Sequence, residues 1–305
     1  METPVSGALE SIATERSERL GDPKRRTEPK RLARDNRIKT VGANWDSMGF
    51  ETLEVTVEDG IATVRLDNEP VNVIDQQMRH ELAEVVDVLR EDRVRVGVFL
   101  GAADVFSVGA DVGLFEDAQS WTTAEFRSNS RILGGAFDAL EEIEKPILAA
   151  LEGTCVGGGL ELALACDVRI AAPDATLGFP EHNIGLLPGL GGCSRFVTLV
   201  GPGVAKDMIF SGDLVDGERA REIGLVERVE ADPDAAALEY ADSLCEQPPQ
   251  AVGLAKRVVN AARETDTQTA GLLESLAQST LLETDDHREG IRAFREKRDP
   301  EFTGE

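Results

Sequence analysis

Two glutamates, Glu161 and Glu181, sit in glycine-opened stretches of the chain: Gly157-Gly158-Gly159-Leu160-Glu161-Leu162 and Phe179-Pro180-Glu181-His182-Asn183-Ile184-Gly185-Leu186-Leu187-Pro188-Gly189. A carboxylate pair can do acid/base work on a carbonyl compound, one member taking a proton while the other gives one. Neighbouring carboxylates resist double ionisation, so their titration belongs to the pair. A glycine triplet between a strand and a helix adds a third component. It lets backbone approach a ligand without Cβ interference and sets N–H groups at the positive end of a helix dipole, where an oxyanion could develop. Each element alone has an ordinary explanation: Glu161 as a first-turn acid favoured by the dipole, Glu181 as a loop acid, the triplet as a tight turn.

The elements that must position these groups are legible as short apolar strands alternating with helical stretches from Phe50 onward. Leu53 to Val57 and Ile61 to Leu66 flank Glu58-Asp59-Gly60, which reads as a hairpin turn, with a first strand over Glu51 to Val57. Met78 to Arg90 carries a helical stripe of Leu82, Val85, Val86 and Leu89. Val96 to Leu100 and Ile147 to Leu151 read as buried strands, the second entering the triplet and a helix from about Leu160 to Cys166, with Val168 to Ala171 as the next strand. This β-β-α rhythm predicts an α/β fold, and the chain from about Pro202 onward is mostly helical in pattern.

Together with Phe106-Ser107-Val108-Gly109-Ala110-Asp111 and Glu289-Gly290-Ile291-Arg292-Ala293-Phe294-Arg295-Glu296-Lys297-Arg298, these residues resemble the crotonase superfamily, most closely its enoyl-CoA hydratases, from about Phe50 to Phe302. The resemblance implies an α/β, crotonase-like spiral of β-β-α units over 48–245 and a C-terminal helical oligomerisation region over 246–305, packed in a homotrimer or dimer of trimers. It also implies that the N–H groups of Gly158 and Ala110 form an oxyanion hole, flanked by Gly157 and Gly109. Glu161 would activate a water and Glu181 would exchange the proton at the α-carbon of a 2-enoyl-CoA thioester. Coenzyme A would then be part of the substrate, with no separate cofactor and no metal. For its binding the resemblance points to Lys297 with Phe294, and to Arg65 and Asn72 on the adenine side. Asp111 would order the loop after Ala110, and Gly113 stands where relatives commonly carry a lysine. A Δ3-Δ2-enoyl-CoA isomerase or another crotonase-type acyl-CoA lyase remains the alternative, since one carboxylate suffices to shuttle a proton. Helices around Phe115 to Phe137 are expected to line the acyl pocket.

Composition narrows the classes further. The 305 residues carry a net charge of −25 and 41% hydrophobic residues, ample for a buried core. Residues 1–50 hold 10 Lys/Arg against 8 Asp/Glu, leaving 22 against 49 for the rest. Such a body repels nucleic acid and anionic membrane. Some crotonase relatives bind RNA through a lysine-rich helix, but the matching stretch, Gln76 to Asp92, is offset by Glu81, Glu84, Asp87, Glu91 and Asp92. No apolar run is long enough to span a membrane, the best being Ile147 to Cys166 with Glu152 and Glu161 inside it, so a cytoplasmic protein is expected. Gly189-Leu190-Gly191-Gly192 lacks the strand-loop-helix context of a dinucleotide fingerprint, and His80, His182 and His287 form no metal spacing. Cys155, Cys166, Cys193 and Cys245 read as reduced, small, buried side chains.

Residues 1–47 show little apolar periodicity and read as disordered or as a weak helix around Leu9 to Leu20, or as an extension that precedes a start at Met48. The basic residues are mostly arginine. An acidic, lysine-poor surface suits a high-salt medium, where screening over a few ångströms removes self-repulsion. Circular dichroism should therefore show loss of the fold in low salt and its recovery in molar KCl; full stability at low salt would overturn that expectation.

Overall fold

The computed structural model describes residues 49–102 and 104–305; the expectations for residues 1–47 and Met48 lie outside them. Phe50–Glu305 form one compact unit. Its first element is the expected hairpin, β1 (Leu53–Glu58) and β2 (Ile61–Leu66), antiparallel with Glu58 opposite Ile61. Asp59 and Gly60 make the turn, both at positive φ (49° and 87°), as a two-residue loop matching the strands' right-handed twist requires. After the two-residue strand β3 (Val73–Ile74) comes α1 (Gln76–Arg90), capped at Asp75, whose side chain accepts the Met78 N–H. Glu81 of α1 accepts from the N–H groups of Glu51 and Thr52 and from the Thr52 hydroxyl, fastening the start of β1 to this helix.

From there the chain winds in β-β-α turns. One turn is β4 (Val96–Gly101), β5 (Gly109–Ala110), α2 (Val112–Ala118) and α3 (Thr123–Glu142). The next is β6 (Ile147–Leu151), β7 (Thr154–Val156) and α4 (Gly158–Ala165). Then come β8 (Val168–Ala171), β9 (Thr176–Gly178), a 3-10 helix (Glu181–Ile184) and α5 (Gly192–Ser211). The remaining elements are β10 (Leu214–Val215), α6 (Gly217–Glu222), β11 (Arg228–Val229), α7 (Pro233–Cys245), α8 (Pro249–Ala262), α9 (Thr267–Leu281) and α10 (Asp285–Glu296).

Each turn places one strand in each of two layers. A six-stranded sheet runs in the order β1-β2-β4-β6-β8-β11, parallel from β2 onward. The second strands form the β10-β9-β7 sheet and the β3-β5 pair, joined by a parallel bridge between Ser107 and Cys155. Side chains alternate across the large sheet as the strand period demands. Val96, Val98 and Leu100 of β4 with Leu148 and Ala150 of β6 pack under Ala237 and Ala241 of α7. Phe99, Ile147, Ala149 and Leu151 point into the main core with α1, α3 and α4.

The C-terminal helices are closed by a charged clasp. Glu289 on α10 pairs with Arg292 and Arg298 and accepts the Glu301 N–H, and these arginines hold its carboxyl down at about 2. Asp286 accepts from the N–H groups of Thr303 and Gly304. Much of the Glu289 to Arg298 motif is thus occupied in tying down the chain's end.

Close approach of the turns is set by glycines. A Cβ on Gly159 would lie 2.6 Å from Ser107 Cβ and 2.9 Å from the Ser107 carbonyl oxygen, whereas one on Gly135 in α3 meets nothing within 4 Å. Gly159→Ala should therefore lose about 2–3 kcal/mol by overpacking, while Gly135→Ala should gain about 0.5–1 kcal/mol from helix propensity and a less free unfolded chain. Urea titrations of the two variants check the contrast.

Candidate active site

The site grows from two helix N-termini that lack side-chain caps. Most helices here start on a capping Asp or Thr: Asp75, Asp111, Thr122, Asp216, Asp232, Asp266 and Thr284. The first helix of the site, α4, instead starts after Gly157 (φ 55°, ψ −129°), and α5 after Gly191 (φ 100°), neither with a side-chain cap. Neither helix is thus capped by a side chain of its own N-cap residue, and only glycine holds those backbone angles cheaply.

Glu161 supplies the missing acceptor for α5. Its Oε1 takes the N–H groups of Leu190 (2.6 Å) and Gly192 (2.8 Å), although it belongs to the first turn of α4. The side chain is almost wholly buried, and burial pushes its carboxyl up to about 7. The two N–H bonds and the positive charges of Arg195 and Arg79 pull the other way without cancelling the desolvation.

Glu181 opens the short 3-10 helix after Pro180, and its carboxylate lies over the triplet: Oε1 is 3.0 Å from where a Cβ on Gly157 would stand. Its other oxygen, Oε2, is buried with no hydrogen-bond partner among the described residues. Burial, with the nearby Glu161 charge adding to it, raises Glu181 to about 7 as well. Gly157 thus stands between the two acids, its carbonyl accepting the Glu161 N–H and its α-carbon facing Glu181.

Gly158 is the first residue of α4, so its N–H has no intrahelical acceptor. A Cβ on it would stand 3.5 Å from the Ala110 nitrogen, and one on Gly109 (φ 88°) 3.0 Å from the Gly158 nitrogen. The backbones of Gly109, Ala110, Gly157 and Gly158 therefore meet beside the two carboxylates. Ser107 pins this junction. Its hydroxyl donates to the Asn72 carbonyl (2.7 Å) and accepts the Gly109 N–H, and its backbone bonds Thr154 and Val156 of β7.

Six of the residues singled out in the sequence, Glu161, Glu181, Gly157, Gly158, Gly109 and Ala110, come together here. The others stand in different settings. Asn72 is buried, at φ 53°, with its amide spent on the carbonyls of Ala102 and Val105 and on the Asn68 N–H, which makes it a brace for the loop leading to Ser107. Arg65 donates to the Gly101 carbonyl and pairs with Asp234 at 3.2 Å. Asp111 caps α2 by accepting the Gly113 N–H. Phe294 and Lys297 are exposed at the end of α10, where Lys297 takes the left-handed conformation that terminates the helix.

His182 turns its ring onto Gly212. Cys155 and Cys166 are buried, whereas Cys193 is exposed and Cys245 half-buried, so the expectation of buried thiols fails for those two. Cys193 follows Gly192 in the first turn of α5, on its exposed side.

Reading residues one motif at a time misses the Leu190–Gly192 loop and Arg79. The loop's glycines fail as a dinucleotide fingerprint, yet their spacing before a helix is the signal for a second set of forward-pointing N–H groups. Arg79 of α1 is buried, and its Nε has no hydrogen-bond partner among the described residues. No group of three or more His, Cys, Asp or Glu among the described residues is arranged to hold a metal ion, and no described helix is long and apolar enough to cross a membrane.

The chain as a whole resembles known proteins in sequence and fold. The family model for enoyl-CoA hydratase/isomerase matches residues 56–305. A crotonyl-CoA hydratase of Syntrophomonas wolfei is 33% identical over 262 residues, covering 84% of this chain and 99% of its own. The human mitochondrial enoyl-CoA hydratase domain-containing protein 2 is 39% identical over 232 residues, covering 73% and 78%. Among solved structures, an enoyl-CoA hydratase from Bacillus anthracis superposes with TM-score 0.78 at 31% identity, over 84% of this chain and 100% of that one. One described as a putative enoyl-CoA hydratase from Streptomyces coelicolor reaches TM-score 0.81 at 30% identity, over 87% and 98%. The β-β-α spiral is the crotonase fold, and the chain belongs to the enoyl-CoA hydratase/isomerase family.

Proposed function

We propose that this chain is a 2-enoyl-CoA hydratase, adding water across the 2,3 double bond of an acyl-CoA thioester. The observation that carries the reading is the pair of carboxylates of Glu161 and Glu181, close enough that the charge of one raises the other, both at about 7, with Glu181 over Gly157 next to the amide junction of Gly158 and Ala110. Near neutral pH such a pair holds one proton between its members, the state hydration needs. Glu161, with two N–H donors and two arginines favouring its ionised form, takes a proton from water as the water oxygen bonds to the β-carbon. The C2–C3 π electrons shift toward the thioester, and the enolate oxygen is held by the Gly158 and Ala110 N–H groups, each worth about 3 kcal/mol in comparable sites. Glu181, protonated and with Oε2 uncommitted, gives its proton to the α-carbon. The proton on Glu161 then re-equilibrates across the pair. The substrate's CoA is recognised outside this junction, and the exposed Phe294 and Lys297 fit the reading in which the C-terminal helix reaches the CoA of a neighbouring subunit in a trimer or dimer of trimers.

Turnover of crotonyl-CoA, followed as loss of enoyl-thioester absorbance at low and at molar KCl, tests this reading. Glu161→Gln and Glu181→Gln should each lose about 10²–10⁴-fold in kcat. A loss below tenfold from both would overturn the scheme. Product formed without incorporation of solvent oxygen would move the assignment to an isomerase that uses Glu181 alone.

A stability measurement tests the same pair from the other side. The folded-state value of Glu181 lies above the ordinary 4.5, so the stability it supports below pH 4.5 is lost as pH rises toward about 7. Urea denaturation should therefore show Glu181→Gln gaining about 1–3 kcal/mol relative to wild type at pH 8 compared with its effect at pH 4.5. Equal effects at the two pH values would count against a carboxylate stressed by burial.

A further inference from the structure

We propose that Arg195 is a positioning residue for the Glu161 carboxylate, acting through the Leu190–Gly192 loop and anchored on α3; the inference rests on the assignment of Glu161 as the base. Arg195 lies on α5 and is 6% exposed. Its Nη1 donates to the Leu190 carbonyl (2.9 Å), Nε and Nη2 to Glu141 (3.0 and 2.8 Å), and Nη2 to Asp138 (2.7 Å). The loop is wrapped directly on the guanidinium: at Gly191 an added Cβ would overlap Nη1. Leu190 is therefore held from both sides, its carbonyl by Arg195 and its N–H by Glu161.

Two acids face Arg195 from α3, Asp138 and Glu141, and Arg263, just past the end of α8, reaches Glu141 at 3.6 Å. Arg195 reaches Glu161 in two ways, by a positive charge that favours the ionised carboxylate and by geometry, the two N–H groups kept on Oε1. The other groups facing Glu161 are Arg79 from α1, Glu181 from the 3-10 helix and Cys193 from α5. Of these, Glu181 and Cys193 offer it no N–H from the loop, and Arg79 acts across space. The same brace joins Glu161 to α3 through Asp138 and Glu141.

The test reads Glu161 directly in ligand-free protein, by infrared titration of its protonated C=O stretch assigned by difference against Glu161→Gln. This readout stands whether or not crotonyl-CoA is turned over, so failure of the hydratase reading and failure of this inference are separable. Arg195→Met should raise the Glu161 midpoint by about one unit, through loss of the nearby positive charge and of the aimed N–H donors together, and move the acid limb of the kcat profile up with it; Asp138→Asn separates the two causes. KM should stay within about threefold, because ground-state binding is untouched. Asp138→Asn gives a second, gentler variant at a side chain 71% exposed. Deleting a negative charge would by itself lower the midpoint, whereas loosening the brace raises it. An upward shift in Asp138→Asn supports the positioning role. An unchanged or lowered midpoint there, or an unchanged midpoint in folded Arg195→Met, overturns it, and if Arg195→Met does not fold the Asp138→Asn result decides.

Discussion

The structure turns on one carboxylate buried where two helices begin. Glu161 belongs to α4 but caps α5, accepting the Gly192 N–H that no residue of α5's own N-terminus accepts. A helix N-terminus buried without acceptors would be costly, and a buried carboxylate without donors more so; each here relieves the other. The relief is incomplete. Burial still outweighs two N–H bonds and two nearby guanidinium groups, leaving the carboxyl near 7 rather than in its ordinary range. That residue of uncancelled desolvation is what makes the group responsive near neutral pH, where a fully solvated or fully paired glutamate would be permanently ionised.

The same logic of buried charge fixing irregular backbone recurs through the protein. Glu81 gathers the start of β1 onto α1, Glu289 and Asp286 gather the chain's end onto α10, and Lys256 joins the carbonyls of Leu140 and Lys145 to Asp167. Arg169 satisfies three carbonyls, those of Leu225, Ala163 and Cys166, and pairs with Glu227. In a chain whose overall charge is strongly negative, these interior cations and acids are matched locally. The surface excess therefore says little about these buried positions, and the exceptions, Arg79 and the Oε2 of Glu181, lie near Glu161.

How much of this is legible in the sequence depends on range. The β1–β2 hairpin is specified by adjacent residues, and the strand Val168–Ala171 lies where its apolar run predicts. Local pattern also marks both glutamates, because glycines flank each. It misassigns the start of α4, placed two residues late, since glycine at a helix head lowers helix propensity while serving the ligand side. It does not reveal Arg195, whose carboxylate partners lie 54 and 57 residues away. Nor does it show that Asn72 is consumed by carbonyls 30 and 33 residues further on. Polar residues satisfied by distant backbone look, in sequence, like polar residues awaiting a ligand. Arg65 and Asn72 fall under that ambiguity.

The spiral's alternation between two layers has a kinetic side. The groups at the junction enter from three windings: Ala110 after β4, Gly158 after β6, and Glu181 with the amides of Leu190 and Gly192 after β8. The large sheet is parallel from β2 onward, and each of its pairings closes a long loop before any contact repays the lost chain entropy. The junction is therefore complete only after three successive windings have stacked. A chain interrupted before α5 would retain both acids and the glycine triplet but lack the amide N–H groups that Glu161 accepts, so the surroundings of that carboxylate are completed late in the winding and not in instalments.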